Sequence, residues 1–215
     1  MDRLTVALPK GRLLPPSLDR FERIGVAITD YKQESRRLIF DADDGRYRFL
    51  IAKPFDVPTY VEYGIADVGV VGSDVLMEED YDVHEPLDLQ FGDCRLVLAA
   101  PRDRAGEGLP LHSVHRVATK YPTLTKRYFA SRGIQVETIK LYGSVELAPI
   151  TGLSEMIVDL VQTGRTLEEN GLVPIAEIAT ASARLIVNRA SHKIRLTEIV
   201  ALIDALSEVN RCFES

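Results

Sequence analysis

A chain of 215 residues can form one large domain or two small ones, each with a real core. Apolar residues make up 46% and charged residues 27%, the balance of a soluble globular protein, and no apolar run reaches membrane-spanning length. With 26 basic against 32 acidic residues the formal charge is −6, which argues against a general nucleic-acid binder but leaves room for a local basic pocket.

The opening Met1-Asp2-Arg3-Leu4 lacks the long apolar core of a signal peptide. Cys94 and Cys212 form neither a C-x-x-C pair nor a disulfide framework, which suits a reducing, cytoplasmic compartment. His84, His112, His115 and His192 show no metal-ligand spacing.

In chain order, Leu4-Thr5-Val6-Ala7-Leu8 reads as a buried strand, followed by the turn Pro9-Lys10-Gly11-Arg12-Leu13 and a helix from Pro15 to near Gly25. A turn after the first strand of an α/β unit is where such folds bind ligands. Gly11 frees the backbone there, and Lys10 and Arg12 offer cations to phosphates. The alternative is a solvated basic turn. Residues 37–40 and 47–52 are strand-like, with Asp43-Asp44-Gly45 as a hairpin turn between them. Asp56 is a candidate N-cap for a helix with Pro58 in its first turn and Gly64 at its end. Residues 66–74 read as a strand running into the polar turn Gly72-Ser73-Asp74.

Residues 94–100 form a clear strand, 101–110 a polar loop and 114–119 another strand, broken by Lys120-Tyr121-Pro122. A helix at 123–129 closes at Gly133, and 136–141 is a strand. Then comes Glu146-Leu147-Ala148-Pro149 and the run Ile157-Val158-Asp159-Leu160-Val161-Gln162-Thr163-Gly164-Arg165-Thr166. Ile157, Val158 and Val161 suit a buried strand, and Thr166 suits the N-cap of a helix ending before Gly171. Strand, tight turn and helix N-terminus together form an anion site, with Asp159 and Glu146 able to hold sugar hydroxyls. A sugar phosphate fits this better than a bare phosphate. Leu153, Ile157, Leu160, Val161 and Gly164 also fit helical spacing, so an amphipathic helix is the competing reading. Residues 172–180 and 183–187 are strand-like, and 196–209 is a helix with Leu196, Ile199, Val200, Ile203 and Leu206 on one face. Alternating strands and helices indicate an α/β protein.

The stretch 143–172 resembles the phosphoribosyl-pyrophosphate (PRPP) signature of the ATP phosphoribosyltransferases, the first enzymes of histidine biosynthesis. Leu8-Pro9-Lys10-Gly11-Arg12-Leu13 and the pattern from Asp56 through Gly64, Asp67, Gly69 and Gly72 to Asp74 resemble further signatures of that family. Lys53 stands where Arg is common, keeping the charge but losing the bidentate fork, and Glu155 stands where Asp is common.

The resemblance implies a fold of two α/β domains like the type II periplasmic binding proteins, with the active site in the cleft between them. One domain would hold residues 1–91 and 182–215, the other 92–181. The implied reaction joins ATP to PRPP, displacing pyrophosphate, with Lys10 catalytic. Lys10, Gly11, Arg12, Lys53, Asp74, Glu146, Asp159, Thr163, Gly164, Arg165 and Thr166 would bind substrate. Mg²⁺ would serve as cofactor through ligands the sequence does not identify, and no general base stands out. The end at residue 215 resembles the short form, whose implied partner is a regulatory subunit related to histidyl-tRNA synthetase (HisZ type), around a homodimer within a hetero-oligomer. Two other readings share the fold or the sugar-phosphate site: a non-catalytic solute-binding protein, and a phosphoribosyltransferase for a different base.

Overall fold

The computed structural model describes residues 3–31, 36–106 and 114–212. His112 and the far end of the loop expected at 101–110 lie outside the described residues. The chain divides into two units, Met1–Leu76 with Asp80–Gly92 and Ser182–Ser215, and Met77–Glu79 with Asp93–Ala181.

The first unit is built on β1 (Leu4–Pro9), β2 (Ile39–Asp41), β3 (Tyr47–Ala52), β4 (Val68–Gly72), β5 (Val83–Asp88) and β11 (Ala183–Asn188), in the order β2-β3-β1-β4-β11-β5. The trio β3-β1-β4 is parallel, while β2, β11 and β5 join antiparallel. β1 and β4 are apolar on both faces because helices cover both. Leu4, Val6 and Leu8 pack with Phe21 of α1 (Leu14–Arg23) and Ile199, Leu202 and Leu206 of α8 (Leu196–Arg211). Ala7 and Val71 pack on the other face with Val57 and Val61 of α2 (Val57–Glu62).

The second unit is built on β6 (Cys94–Pro101), β7 (His115–Thr119), β8 (Val136–Lys140), β9 (Met156–Val161) and β10 (Leu172–Ala181), in the order β10-β6-β9-β7-β8. Here β9-β7-β8 is the parallel trio, and β6 and β10 run antiparallel. Ile157 and Val161 of β9 pack with Val145, Ala148, Leu167 and Leu172, so α5 (Leu147–Ile150) and α6 (Arg165–Glu169) cover that face. α4 (Pro122–Ala130) begins where the buried Glu78 carboxylate accepts the amides of Thr123 (2.8 Å) and Leu124 (3.0 Å). That bond ties Met77–Glu79, the end of α3 (Ser73–Glu78), to the second unit.

The run expected as a buried strand is β9 rather than the competing amphipathic helix, because β6 and β7 pair with it on both sides. Other local readings of the sequence differ from the structure. Gly72-Ser73-Asp74 leads into helix α3 rather than a turn. Asp56 closes a short 3₁₀ turn at Pro54–Asp56, and its side chain caps nothing. The buried face of α8 is Ile199, Leu202, Leu206 and Asn210, whereas Leu196 and Val200 are exposed, 51% and 40%. α7 (Arg189–Ile194) had no place in the sequence reading, although Asn188 is its N-cap, accepting from the amides of Ala190 and Ser191 (both 2.9 Å).

Candidate functional site

In the first unit the candidate residues stand at the carboxyl ends of the parallel strands, where open α/β sheets bind ligands. Pro9 and Ala52 are register partners at the ends of β1 and β3. The Lys10 amide donates to the Ala52 carbonyl (2.7 Å), so Lys10 and Lys53 each follow directly on one of two paired strands. The turn continues through Gly11 at φ +90°, a conformation that favours glycine, and the Gly11 carbonyl accepts from Leu14 at the start of α1 (3.1 Å). Lys10, Gly11, Arg12 and Lys53 are all exposed. Asp74 follows β4, the third parallel strand, and is buried. Its carboxylate occupies the space a Cβ on Gly72 would need, so glycine at 72 is a condition for Asp74 lying where it does.

The second unit repeats the arrangement with opposite chemistry. Beyond β8, Leu141 donates its amide to Thr119 of β7 (3.0 Å), and the chain turns through Ser144 at φ +47° into Glu146, the residue before α5. Asp159 lies on β9 opposite Val97 of β6. Strand alternation puts Asp159 on the same face as Ile157 and Val161, the face that α5 and α6 cover. Beyond β9, Gly164 adopts φ +82° and stands at the N-cap position of α6. The Thr163 hydroxyl accepts weakly from the Arg165 amide (3.5 Å), and the Arg165 guanidinium pairs with Glu169 (2.7 Å).

Thr166 is therefore inside α6 rather than capping it, and its carbonyl accepts from the Asn170 side chain (2.9 Å). The correction leaves the 163–166 turn at the N-terminus of α6. The first amides of a helix have no intrahelical acceptor, and the left-handed glycine brings the backbone round to present them. Glu146 and Asp159 are partly buried acceptors suited to sugar hydroxyls. The structure thus gathers Glu146, Asp159, Thr163, Gly164, Arg165 and Thr166 around the ends and one face of a single sheet. It gathers Lys10, Gly11, Arg12, Lys53 and Asp74 around the ends of another.

Two signature positions lie away from these strand ends. Asp67 is at the amino end of β4, where it accepts from the Thr5 amide (2.8 Å), the Ser191 hydroxyl (2.7 Å) and Arg195 (3.1 Å). Glu155 precedes β9 and accepts from the Arg116 amide (2.5 Å) and guanidinium (3.0 and 3.1 Å). Burial pushes the Glu155 carboxyl upward, but the bonds from Arg116 outweigh it and hold the carboxyl below its ordinary range. Glu in place of Asp here therefore leaves the ligand ends of the strands untouched. Sequence reasoning passed over Lys120, which it treated as a strand breaker. Its position directly after a strand, like that of Lys10 and Lys53, was the available signal. Among the described residues, no three His, Cys, Asp or Glu side chains group as a metal cage.

Two α/β units with ligand-binding chemistry at the carboxyl ends of parallel strands define a protein of the periplasmic-binding-protein fold. The aliphatic sulphonate binding protein SsuA of Escherichia coli superposes with a TM-score of 0.60 at 11% identity, over 98% of this chain and 73% of that one. The arginine-binding protein ArgBP of Thermotoga maritima superposes at 0.56 and 15% identity, over 99% and 91% of the two chains. Both likenesses are of fold alone. Sequence is far more specific: residues 53–208 match the family model HisG: ATP phosphoribosyltransferase. The ATP phosphoribosyltransferase of Syntrophotalea carbinolica is 52% identical over 97% of this chain and 95% of its own length. That of Geobacter metallireducens is 52% identical over 96% and 98%. A chain of the T. maritima ATP phosphoribosyl transferase (HisG:HisZ) complex superposes at TM-score 0.82 with 38% identity, over 97% of this chain and 98% of that one. The chain belongs to the ATP phosphoribosyltransferase family.

Proposed function

We propose that this chain condenses ATP with PRPP to N1-(5-phospho-β-D-ribosyl)-ATP and pyrophosphate, the first step of histidine biosynthesis. The observation that carries this reading is the second unit's arrangement of Glu146, Asp159 and the 163–166 turn on one sheet of a chain with family relatives over nearly its whole length. The turn after β9 binds the 5′-phosphate through backbone amides and the Thr163 and Thr166 hydroxyls. Asp159 and Glu146 accept from the ribose hydroxyls. In the first unit Lys10, Gly11, Arg12 and Lys53 take phosphate oxygens, and Asp74 completes the ATP-binding set.

The adenine N1 of ATP attacks C1 of PRPP while the bond from C1 to pyrophosphate breaks. N1 is a weak nucleophile, so that bond stretches well before attack and the ribose acquires oxocarbenium character. Positioning and charge stabilisation do most of the catalytic work. Lys10 acts as a catalytic cation on the polyphosphate, and no general base is assigned. Among the described residues no three His, Cys, Asp or Glu side chains form a cage, so Mg²⁺ would be an ion carried on substrate phosphates, with Glu146 and Asp159 as carboxylates available to its shell. When bound it would neutralise the departing pyrophosphate.

The relative in the T. maritima HisG:HisZ complex supports a HisZ-type partner for this chain as well; the proposed partner is synthetase-like, and the proposed assembly is built around a homodimer of catalytic subunits. Mixing the chain with ATP, PRPP and Mg²⁺ and following pyrophosphate tests the reading. Release that requires both substrates is expected. Binding of a small solute without turnover, with or without the partner, would make this a binding protein instead.

A further inference from the structure

We propose that Lys120 is a further substrate-contacting residue, whose ammonium binds the pyrophosphate of PRPP. This rests on the reading of the second unit as the PRPP site. β7 is the middle strand of the parallel trio β9-β7-β8. On one side Ala118 pairs with Ile157 and Thr119 with Val158, so the next step along the ladder sets Lys120 level with Asp159. On the other side Thr119 pairs with Lys140 and accepts the Leu141 amide, where the chain departs toward Glu146. Lys120 thus stands between β9, which carries Asp159, and the end of β8, from which the chain runs on to Glu146.

Extending the alternation of β7 (His115–Thr119) one residue past its end gives the face. Ala118 packs with Ile157, Val145 and Ala148, and the residue two further on returns to that face, as Asp159 does two beyond Ile157. Lys140 falls on the opposite face, since its neighbour Ile139 packs against this cluster. Lys120 is partly buried, and among the described residues its ammonium makes no ion pair.

Charge within the second unit favours such a group. PRPP is a polyanion, and Glu146 and Asp159 add two further negative charges. The amides of the 163–166 turn supply only partial positive charge, and Arg165 is held by Glu169. The N-terminus of α4, next along from Lys120, is already filled by the Glu78 carboxylate. The C1 pyrophosphate neighbours the C2 hydroxyl, so a cation level with Asp159 meets the pyrophosphate rather than the 5′-phosphate.

The test is calorimetry of the full chain with PRPP, with magnesium pyrophosphate and with ribose 5-phosphate. Lys120→Met should weaken PRPP and pyrophosphate binding by roughly tenfold to a hundredfold. Ribose 5-phosphate affinity should stay unchanged, and Lys120→Arg should recover part of the loss. Unchanged pyrophosphate affinity in Lys120→Met overturns the assignment. A wild-type chain that binds no PRPP overturns the reading of the whole unit, which is a different result. Independently of any variant folding, pyrophosphate should shield Lys120 of the wild type from reductive methylation, and labelling at an undiminished rate contradicts the proposal.

Discussion

At the scale of the residue, the sequence left two uses open for Lys10, Gly11 and Arg12, a phosphate turn or a solvated basic turn, and the structure sets them at a strand end. Asp67 sits in the same kind of signature yet serves the opposite end of its sheet, as an anchor for Thr5, Ser191 and Arg195. One-dimensional spacing does not tell the two ends of a strand apart. The requirement for Gly72 was equally hidden, because it depends on where the Asp74 side chain folds back. Asp159 carries the sharpest consequence at this scale. In the proposed site, Asp159→Ala would remove a charge-assisted hydrogen bond to a ribose hydroxyl, worth about 1.5–3 kcal/mol. PRPP affinity should fall roughly tenfold to a hundredfold with the circular dichroism spectrum intact. A folded variant with wild-type PRPP affinity would remove Asp159 from the site.

At the scale of the element, the strands were read well where apolar runs were long and poorly where caps decide. β9 was read as a strand, but only its partners exclude the competing helix, since a short, mostly apolar run satisfies both periods. α7 and α5 are held by Asn188 and by the turn at Ser144, contacts that short helices need because their own nucleation is unfavourable. The face of α8 was misplaced by a fraction of a turn, with Leu202 missed and Leu196 and Val200 included. The join between β7 and the start of β9 gives a pH-dependent prediction. The Glu155 carboxyl is held below its ordinary range by Arg116, so its ionised form stabilises the fold. That contribution is present above the unfolded-state value and is lost as pH falls through the folded-state value. Glu155→Gln should lower the denaturant midpoint at neutral pH, and the gap from wild type should close in acid. A gap of equal size at both pH values would assign the loss to packing instead.

At the scale of the whole molecule, the α/β class followed from alternation of strands and helices, while the assembly of two sheets from interleaved segments did not. β11, α7 and α8 join the first sheet only after the whole second unit has been completed, and the pairing of β11 with β4 is a contact of long sequence separation that local pattern does not encode. In the proposed account this chain carries the chemistry, and histidine control belongs to the synthetase-like partner. An effector shifts only equilibria in which it binds the states unequally, so the purified chain titrated with histidine should show no saturable binding. Activity should become histidine-sensitive when the partner is added, and tight histidine binding by the chain alone would contradict that division of labour. The central claim is the bond formed, and carbon NMR of a reaction containing ATP and PRPP labelled at C1 reads it directly. The account predicts that the label moves from pyrophosphate-bound C1 to a β-linked carbon on N1 of adenine, with pyrophosphate released in equal amount. Label left on PRPP under conditions where both substrates bind, or transferred to an acceptor other than N1 of ATP, would contradict it.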